Sequence, residues 1–284
     1  MLMKIIFINI AVFISLRIVS IIFTLFVFES KSAIQWIELP ASLENLLSQP
    51  WSLITYMFAQ YDILHILFNM LWLYWFGSIF MSYFTQKQLL GLYLLGGFGG
   101  AILYILAYNI FPYFAPAIND SYMLGASASV IAIVVATAMR APDYKIGLLF
   151  LGAVSLKWIA IFTISIDILS VDSANAGGHI AHIGGALIGV LYAISFKKGV
   201  DITNWINKIC DKIVLLFTRP SKYQFSNKNK NKYTYSAPKS NNENTMTSAD
   251  MDAMNIILDK IKKSGYSSLS ADEKKKLFDV SKKK

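Results

Sequence analysis

The sequence predicts an all-α polytopic membrane protein: a bundle of six transmembrane helices followed by a basic cytoplasmic tail. Three observations predict it. Of its 284 residues 55% are hydrophobic and only 15% charged, and the mean hydropathy is +0.50, too apolar for an ordinary soluble domain. The apolar residues gather into runs of the ~20 needed to cross the ~30 Å hydrocarbon core. The charge is divided: residues 1–198 hold 9 basic and 8 acidic side chains, and residues 199–284 hold 17 and 9. A near-neutral part with a basic tail fits a cytoplasmic flank near anionic lipid better than a nucleic-acid binder, and no nucleic-acid motif is present. The single cysteine, Cys210, excludes an intrachain disulfide framework.

The first span runs from Ile5 to about Phe28, broken by Arg17, which can snorkel or pack inward. No small-residue cleavage signature follows it, so it reads as a retained signal anchor. Residues 29–61, rich in Leu and aromatics, read as a segment lying in the interface. The second span is about Ile63–Tyr83 and the third about Leu89–Phe111, where five glycines allow close helix approach. After a Pro- and Asn-containing loop, the fourth runs from near Leu124 to near Met139. The fifth lies within Ile146–Ser170, and the sixth is about Gly178–Phe196. Residues 199–218 read as an amphipathic juxtamembrane helix. Residues 219–250, rich in Asn, Lys and Ser, read as a disordered linker. Residues 251–284 read as a small helical hairpin whose second helix starts at a capping box, Ser270 to Glu273. So small a hairpin buries little core alone and calls for a cytoplasmic partner.

With six spans, Lys4, Lys87, Arg140, Lys145, Lys197 and Lys198 fall on one side, and Lys31 is the one basic residue on the other. The positive-inside rule then makes both termini cytoplasmic. The second, fourth and sixth helices all start on the outer side. His65 lies three residues after Asp62, Ser127 seven after Asp120 and His182 five after Gly177. At 1.5 Å per residue these rare polar groups sit only ~5–10 Å below that surface. Ionisable residues in hydrocarbon are costly and mark function.

A serine hydroxyl needs a base to become a nucleophile, and a neutral imidazole is the usual one. Ala128, Ala132 and Ala136 line the fourth helix at i, i+4. Ala181, Gly185, Gly189 and Ala193 do so on the sixth. Such stripes let two backbones approach and would bring Ser127 to His182. No carboxylate lies near them in sequence, so the expectation is a Ser–His dyad. Gly125 lets the chain approach a substrate closely. His65 and Asn69 share a helix face and can both donate to an oxyanion, together with the backbone N–H of Ser127. Ser129 sits ~200° round the helix from Ser127 and reads as packing. His179 reads as a water-facing neighbour. A metal site from His65, His179 and His182 lacks an HExxH pattern or a cysteine ligand, so no metal or cofactor is expected.

Three motifs in order, HILFN at His65–Asn69, GAS at Gly125–Ser127 and AHIGGALIG at Ala181–Gly189, resemble those of the rhomboid intramembrane serine proteases, over about residues 5–198. The resemblance implies Ser127 as nucleophile, His182 as general base and an oxyanion hole from His65, Asn69 and the Ser127 N–H. It implies a transmembrane protein substrate, entering sideways from the lipid bilayer and cut near the outer face of a bacterial plasma membrane. Pro50-Trp51 and Thr55 resemble the family's first external loop, and the tail resembles those of rhomboid proteins from Bacteroidetes-type bacteria. Three positions depart. Ala128 stands where the serine motif usually ends in Gly, Ile131 where an aromatic often follows, and Ser52 where Trp51 is usually followed by Arg. The rival expectation is a non-catalytic rhomboid-like protein that binds transmembrane clients.

Overall fold

The computed structural model describes residues 1–26, 34–148, 152–217, 255–262 and 265–281. The chain divides into two units, Met1–Ser221 and Lys222–Lys284.

The first unit is helical. Helix α1 (Leu2–Leu25) buries only Leu2, Ile5, Ile6 and Asn9; the rest of its apolar surface faces outward, as lipid contact requires. Arg17 lies over the Tyr61 ring, 5.6 Å from its centroid, a cation–π placement that keeps the charge at the helix edge. The first connection holds strand β1 (Leu39–Pro40) and two short helices, α2 (Leu43–Ser48) and α3 (Ser52–Thr55). Trp51 stacks on Trp36 and donates to the Trp36 carbonyl at 2.7 Å. Thr55 Oγ1 donates to the Ile37 carbonyl.

Helix α4 (Ile63–Phe80) starts at Asp62, whose carboxylate accepts the His65 N–H at 2.7 Å, the usual N-cap arrangement. Helix α5 (Gln86–Ile110) starts at a capping box made by Thr85 and Gln88. Strand β2 (Tyr122–Met123) pairs antiparallel with β1 and ties the first connection to the chain entering α6 (Ser127–Arg140). Helices α7 (Leu156–Leu169) and α8 (Ala176–Lys197) follow.

Four of these helices, α1, α4, α5 and α8, are long and apolar enough to cross a membrane. Helices α6 and α7, in the segments expected as the fourth and fifth spans, are 14 residues each, about 21 Å of helix. Helix α6 starts at Ser127, not near Leu124, and is buried from Ala128 to Ala138, so it is the central post of the unit. The fifth helix lies within the expected Ile146–Ser170 stretch but takes up only its second part. Residues 145–148 and 152–155 are not helical: strands β3 (Lys145–Leu148) and β4 (Gly152–Ser155) pair antiparallel, and the helix begins only at Leu156. Gly152 has φ +71°, which favours glycine and breaks a helix. Lys157 pairs with Asp143 at 2.6 Å beside the hairpin.

The three helices α5, α6 and α8 form the densest contacts, and small residues make that possible. A Cβ on Gly185 would collide with the Ala128 carbonyl oxygen, and one on Gly189 would lie 2.6 Å from the Ala132 carbonyl oxygen. The backbones of α6 and α8 therefore touch directly. Helix α9 (Asn204–Phe217) closes the unit. Its Asp211 pairs with Lys87, and Asn207 and Thr203 pack where Gly91 has no side chain.

In the second unit, residues 255–262 are helical and α11 (Ala271–Ser281) follows a short 3₁₀ turn; α10 denotes the 255–262 helix. The capping box is present: Ser270 N–H donates to the Glu273 carboxylate at 2.7 Å, and Glu273 N–H donates to Ser270 Oγ at 3.3 Å. Lys260 of α10 also pairs with Glu273. The linker read at 219–250 lies outside the described residues.

Replacing Gly185 by Val forces α6 and α8 apart and is expected to destabilise the membrane unit by about 3 kcal/mol, read by unfolding in mixed detergent. Gly147→Ala, with nothing within 4 Å of the new methyl, is the control expected to stay near wild type. The Ser270 N–H, then Lys260, hold the Glu273 carboxyl below its ordinary pKa. A lowered folded pKa stabilises above the unfolded value, about 4.3, and this contribution disappears as pH falls through the folded value. Acid is thus expected to loosen the cap of α11, and Glu273→Gln to remove that pH dependence, both visible in amide hydrogen exchange of the first turn.

Candidate active site

Ser127 is the first residue of α6, where the leading N–H groups of a helix have no intrahelical acceptor. The turn before it is held by Gly125, with φ +134° and an N–H donated to the Tyr56 carbonyl at 2.9 Å. That φ favours glycine. The missing side chain also matters: a Cβ there would lie 3.3 Å from His65 Cε1. The His65 ring therefore rests against the turn that presents Ser127.

His182 comes from the second turn of α8. Its Nε2 is 2.7 Å from Ser127 Oγ, and its Nδ1 is 2.8 Å from Asp167 Oδ1. The sequence pointed to an unassisted pair; the structure sets a third side chain beside it. A carboxylate is close in space although it is 15 residues away in the chain. Asp167 sits in the last turn of α7 and is 4% exposed. A carboxylate can only accept, so His182 carries its proton on Nδ1, and its neutral Nε2 accepts the hydroxyl proton of Ser127. The same Oδ1 takes a second contact: His179 Nδ1 is also 2.8 Å away. Asp167 Oδ2 is buried with no protein partner.

His65, Asn69, Ser127, Asp167 and His182 all line one cavity of about 1080 Å³. Apart from Thr163 and Ser165, the rest of its wall is apolar, with Phe68 and Trp72 from α4, Ile131 from α6, and Trp158, Phe162 and Ile166 from α7. Ile131 thus contributes an aliphatic wall where an aromatic was the family pattern. A second, more polar cavity of about 460 Å³ reaches Ser127, His65 and His182 from another direction, past Tyr56, Asp120, Ser121 and Asn175. The serine–histidine contact lies where an apolar space meets a polar one.

Ser129 is buried against Gly96 of α5 and away from His182. Ala128 packs on Gly100 and Gly185. Asp167, His179 and His182 offer three metal-ligand atoms within 4.8 Å of one another, a set different from the His65-containing one considered in sequence. Both N···O separations are hydrogen-bond lengths, so the two histidines share Asp167 Oδ1, while Oδ2 has no partner among the described residues.

Sequence reasoning missed Asp167. The signal was available: it is the one acidic residue in the apolar segment Leu156–Leu169, and a lone intramembrane carboxylate is a functional hypothesis by default. It also missed Gln60. Asn69 Nδ2 donates to Gln60 Oε1 at 2.8 Å.

Comparison with known proteins gives the same direction. The rhomboid domain family matches residues 47–198, and a family of unknown function (DUF6576) matches residues 239–283. RHOMBOID-like protein 12, mitochondrial, of Arabidopsis thaliana is 32% identical over 168 residues, 56% of this chain and 50% of that protein. Presenilin-associated rhomboid-like protein A, mitochondrial, of Danio rerio is 31% identical over 141 residues, 48% of this chain and 34% of that protein. The matched region thus spans half or less of the length of these curated relatives, and both are mitochondrial proteins of eukaryotes. The rhomboid match covers more than half of the sequence, so the chain belongs to the rhomboid family of multi-pass membrane proteins.

Proposed function

We propose that the protein is an intramembrane serine endopeptidase that cuts transmembrane protein substrates. The observation that carries this reading is the hydrogen-bonded series Ser127–His182–Asp167. Ser127 Oγ attacks the scissile carbonyl carbon while its proton passes to His182 Nε2. Asp167 fixes the tautomer and stabilises the imidazolium, so the dyad expected from sequence becomes a triad. The oxyanion accepts from the Ser127 N–H, His65 and Asn69. His182 then returns the proton to the leaving amine, leaving an acyl-serine. A water, deprotonated by His182, hydrolyses that ester.

The two cavities support a division of labour. The apolar one, walled by Trp158 and Phe162, suits an uncoiled piece of a membrane segment. The polar one suits the water that hydrolysis consumes, and irregular backbone at such depth is tolerated where it lines a wet cavity. Six spans, from the apolar runs, both termini in the cytoplasm and a site near the outer face, from the distribution of Lys and Arg, and a bacterial plasma membrane, from the family resemblance alone, complete the reading.

A serine-directed fluorophosphonate probe in detergent is expected to label the protein, and labelling is expected to disappear in both Ser127→Ala and His182→Ala. Labelling that survives Ser127→Ala would sink the assignment. Retained binding of a transmembrane client with no cleavage would favour a non-catalytic client-binding protein. Asp167→Asn keeps shape but lets the amide donate to Nδ1, favouring the wrong tautomer. It is expected to lower kcat by about 10²–10⁴-fold with KM little changed. A wild-type rate in that variant would return the site to a dyad.

A further inference from the structure

The amide of Asn69 is the end of a buried chain of donors that runs in one direction. Asn69 Nδ2 donates to Gln60 Oε1 at 2.8 Å, and Gln60 Nε2 donates to Asn9 Oδ1 at 3.2 Å. Asn9 Nδ2 donates to the Ile5 carbonyl at 2.9 Å and to Tyr93 Oη at 3.1 Å, and Tyr93 Oη donates to the Met57 carbonyl at 2.8 Å. Asn9, Gln60 and Tyr93 are fully buried and Asn69 is nearly so. The chain joins α1, the first connection, α4 and α5.

Its direction is forced. The Ile5 carbonyl can only accept, so the nitrogen of the Asn9 amide must face it. The oxygen of Asn9 then faces Gln60, which must answer with its own nitrogen. The oxygen of Gln60 is left facing Asn69, which must answer with Nδ2. Turning any one amide over would set oxygen against oxygen or nitrogen against nitrogen in a buried place, where an unmade hydrogen bond carries its full desolvation cost. Apolar residues of the same shape could fill this space about as stably. What the polar chain adds is orientation.

We infer that Gln60 and Asn9 are positioning residues that hold the Asn69 amide with its nitrogen, not its oxygen, presented as the oxyanion donor. The inference rests on the proposed role of Asn69. One N–H of that nitrogen is spent on Gln60, and the second stays with the same atom for the cavity that Asn69 shares with Ser127. A carbonyl oxygen in its place would repel the developing negative charge.

The test is a double-mutant cycle on kcat and KM for cleavage of a transmembrane reporter by the full chain. Gln60→Met removes both polar atoms at similar volume. It is expected to lower kcat about tenfold, the worth of one ordered hydrogen bond, with KM unchanged. In an Asn69→Ala background, itself slower by about 10²–10³-fold, the same change is expected to cost less than twofold, because nothing is left to orient. Gln60→Glu is expected to recover most of the rate, since its neutral carboxyl offers one acceptor to Asn69 and one donor to Asn9. Asn9→Leu, which does not touch Asn69, is expected to show the same background dependence and serves if Gln60→Met does not fold. Equal losses in both backgrounds, or no loss in wild type, would overturn the inference while leaving the protease reading intact. A wild-type rate in Asn69→Ala would remove the oxyanion role itself and the relay with it.

Discussion

The contact on which the site depends is backbone against backbone. Helices α6 and α8 meet where Gly185 faces the Ala128 carbonyl and Gly189 the Ala132 carbonyl. In lipid there is no hydrophobic drive to press helices together, so approach has to come from shape and van der Waals contact. That approach sets the reach of everything on the two helices. Ser127 and His182 are short and medium side chains on neighbouring posts, and their 2.7 Å contact exists only because the posts touch. Asp167 needs no such closeness: it reaches Nδ1 from α7, which packs more sparingly on α8.

Much of this was legible in the chain. The periodic small residues at Ala128, Ala132, Gly185 and Gly189 are a one-dimensional record of a helix–helix contact. The scarcity of histidine in a hydrophobic sequence singled out His65 and His182. What stayed hidden was whatever depended on a third helix. Asp167 left a trace, the one acidic residue in an apolar segment, but that it meets His182 depends on how α7 packs against α8. Gln60 and Asn9 looked like ordinary polar residues in a connection and a first span. Their meaning lies in four amides and hydroxyls meeting between elements up to 84 residues apart.

The fifth segment shows a different limit. The apolar stretch Ile146–Ser170 is longer than the helix it contains: its first part forms the β3–β4 hairpin. Composition reports that a stretch avoids water; it does not say whether its backbone groups bond along the chain or across it. Gly147 and Gly152 lower the cost of leaving the helix, and the pair of strands satisfies the backbone in the other way that apolar surroundings permit.

The shortness of α7 has a mechanical consequence. This helix both walls the apolar cavity, through Trp158, Phe162 and Ile166, and carries Asp167 in its last turn. Any outward swing of its body that widens the cavity takes the carboxylate with it, lengthening the 2.8 Å hold on His182. The doorway and the latch are parts of one rod.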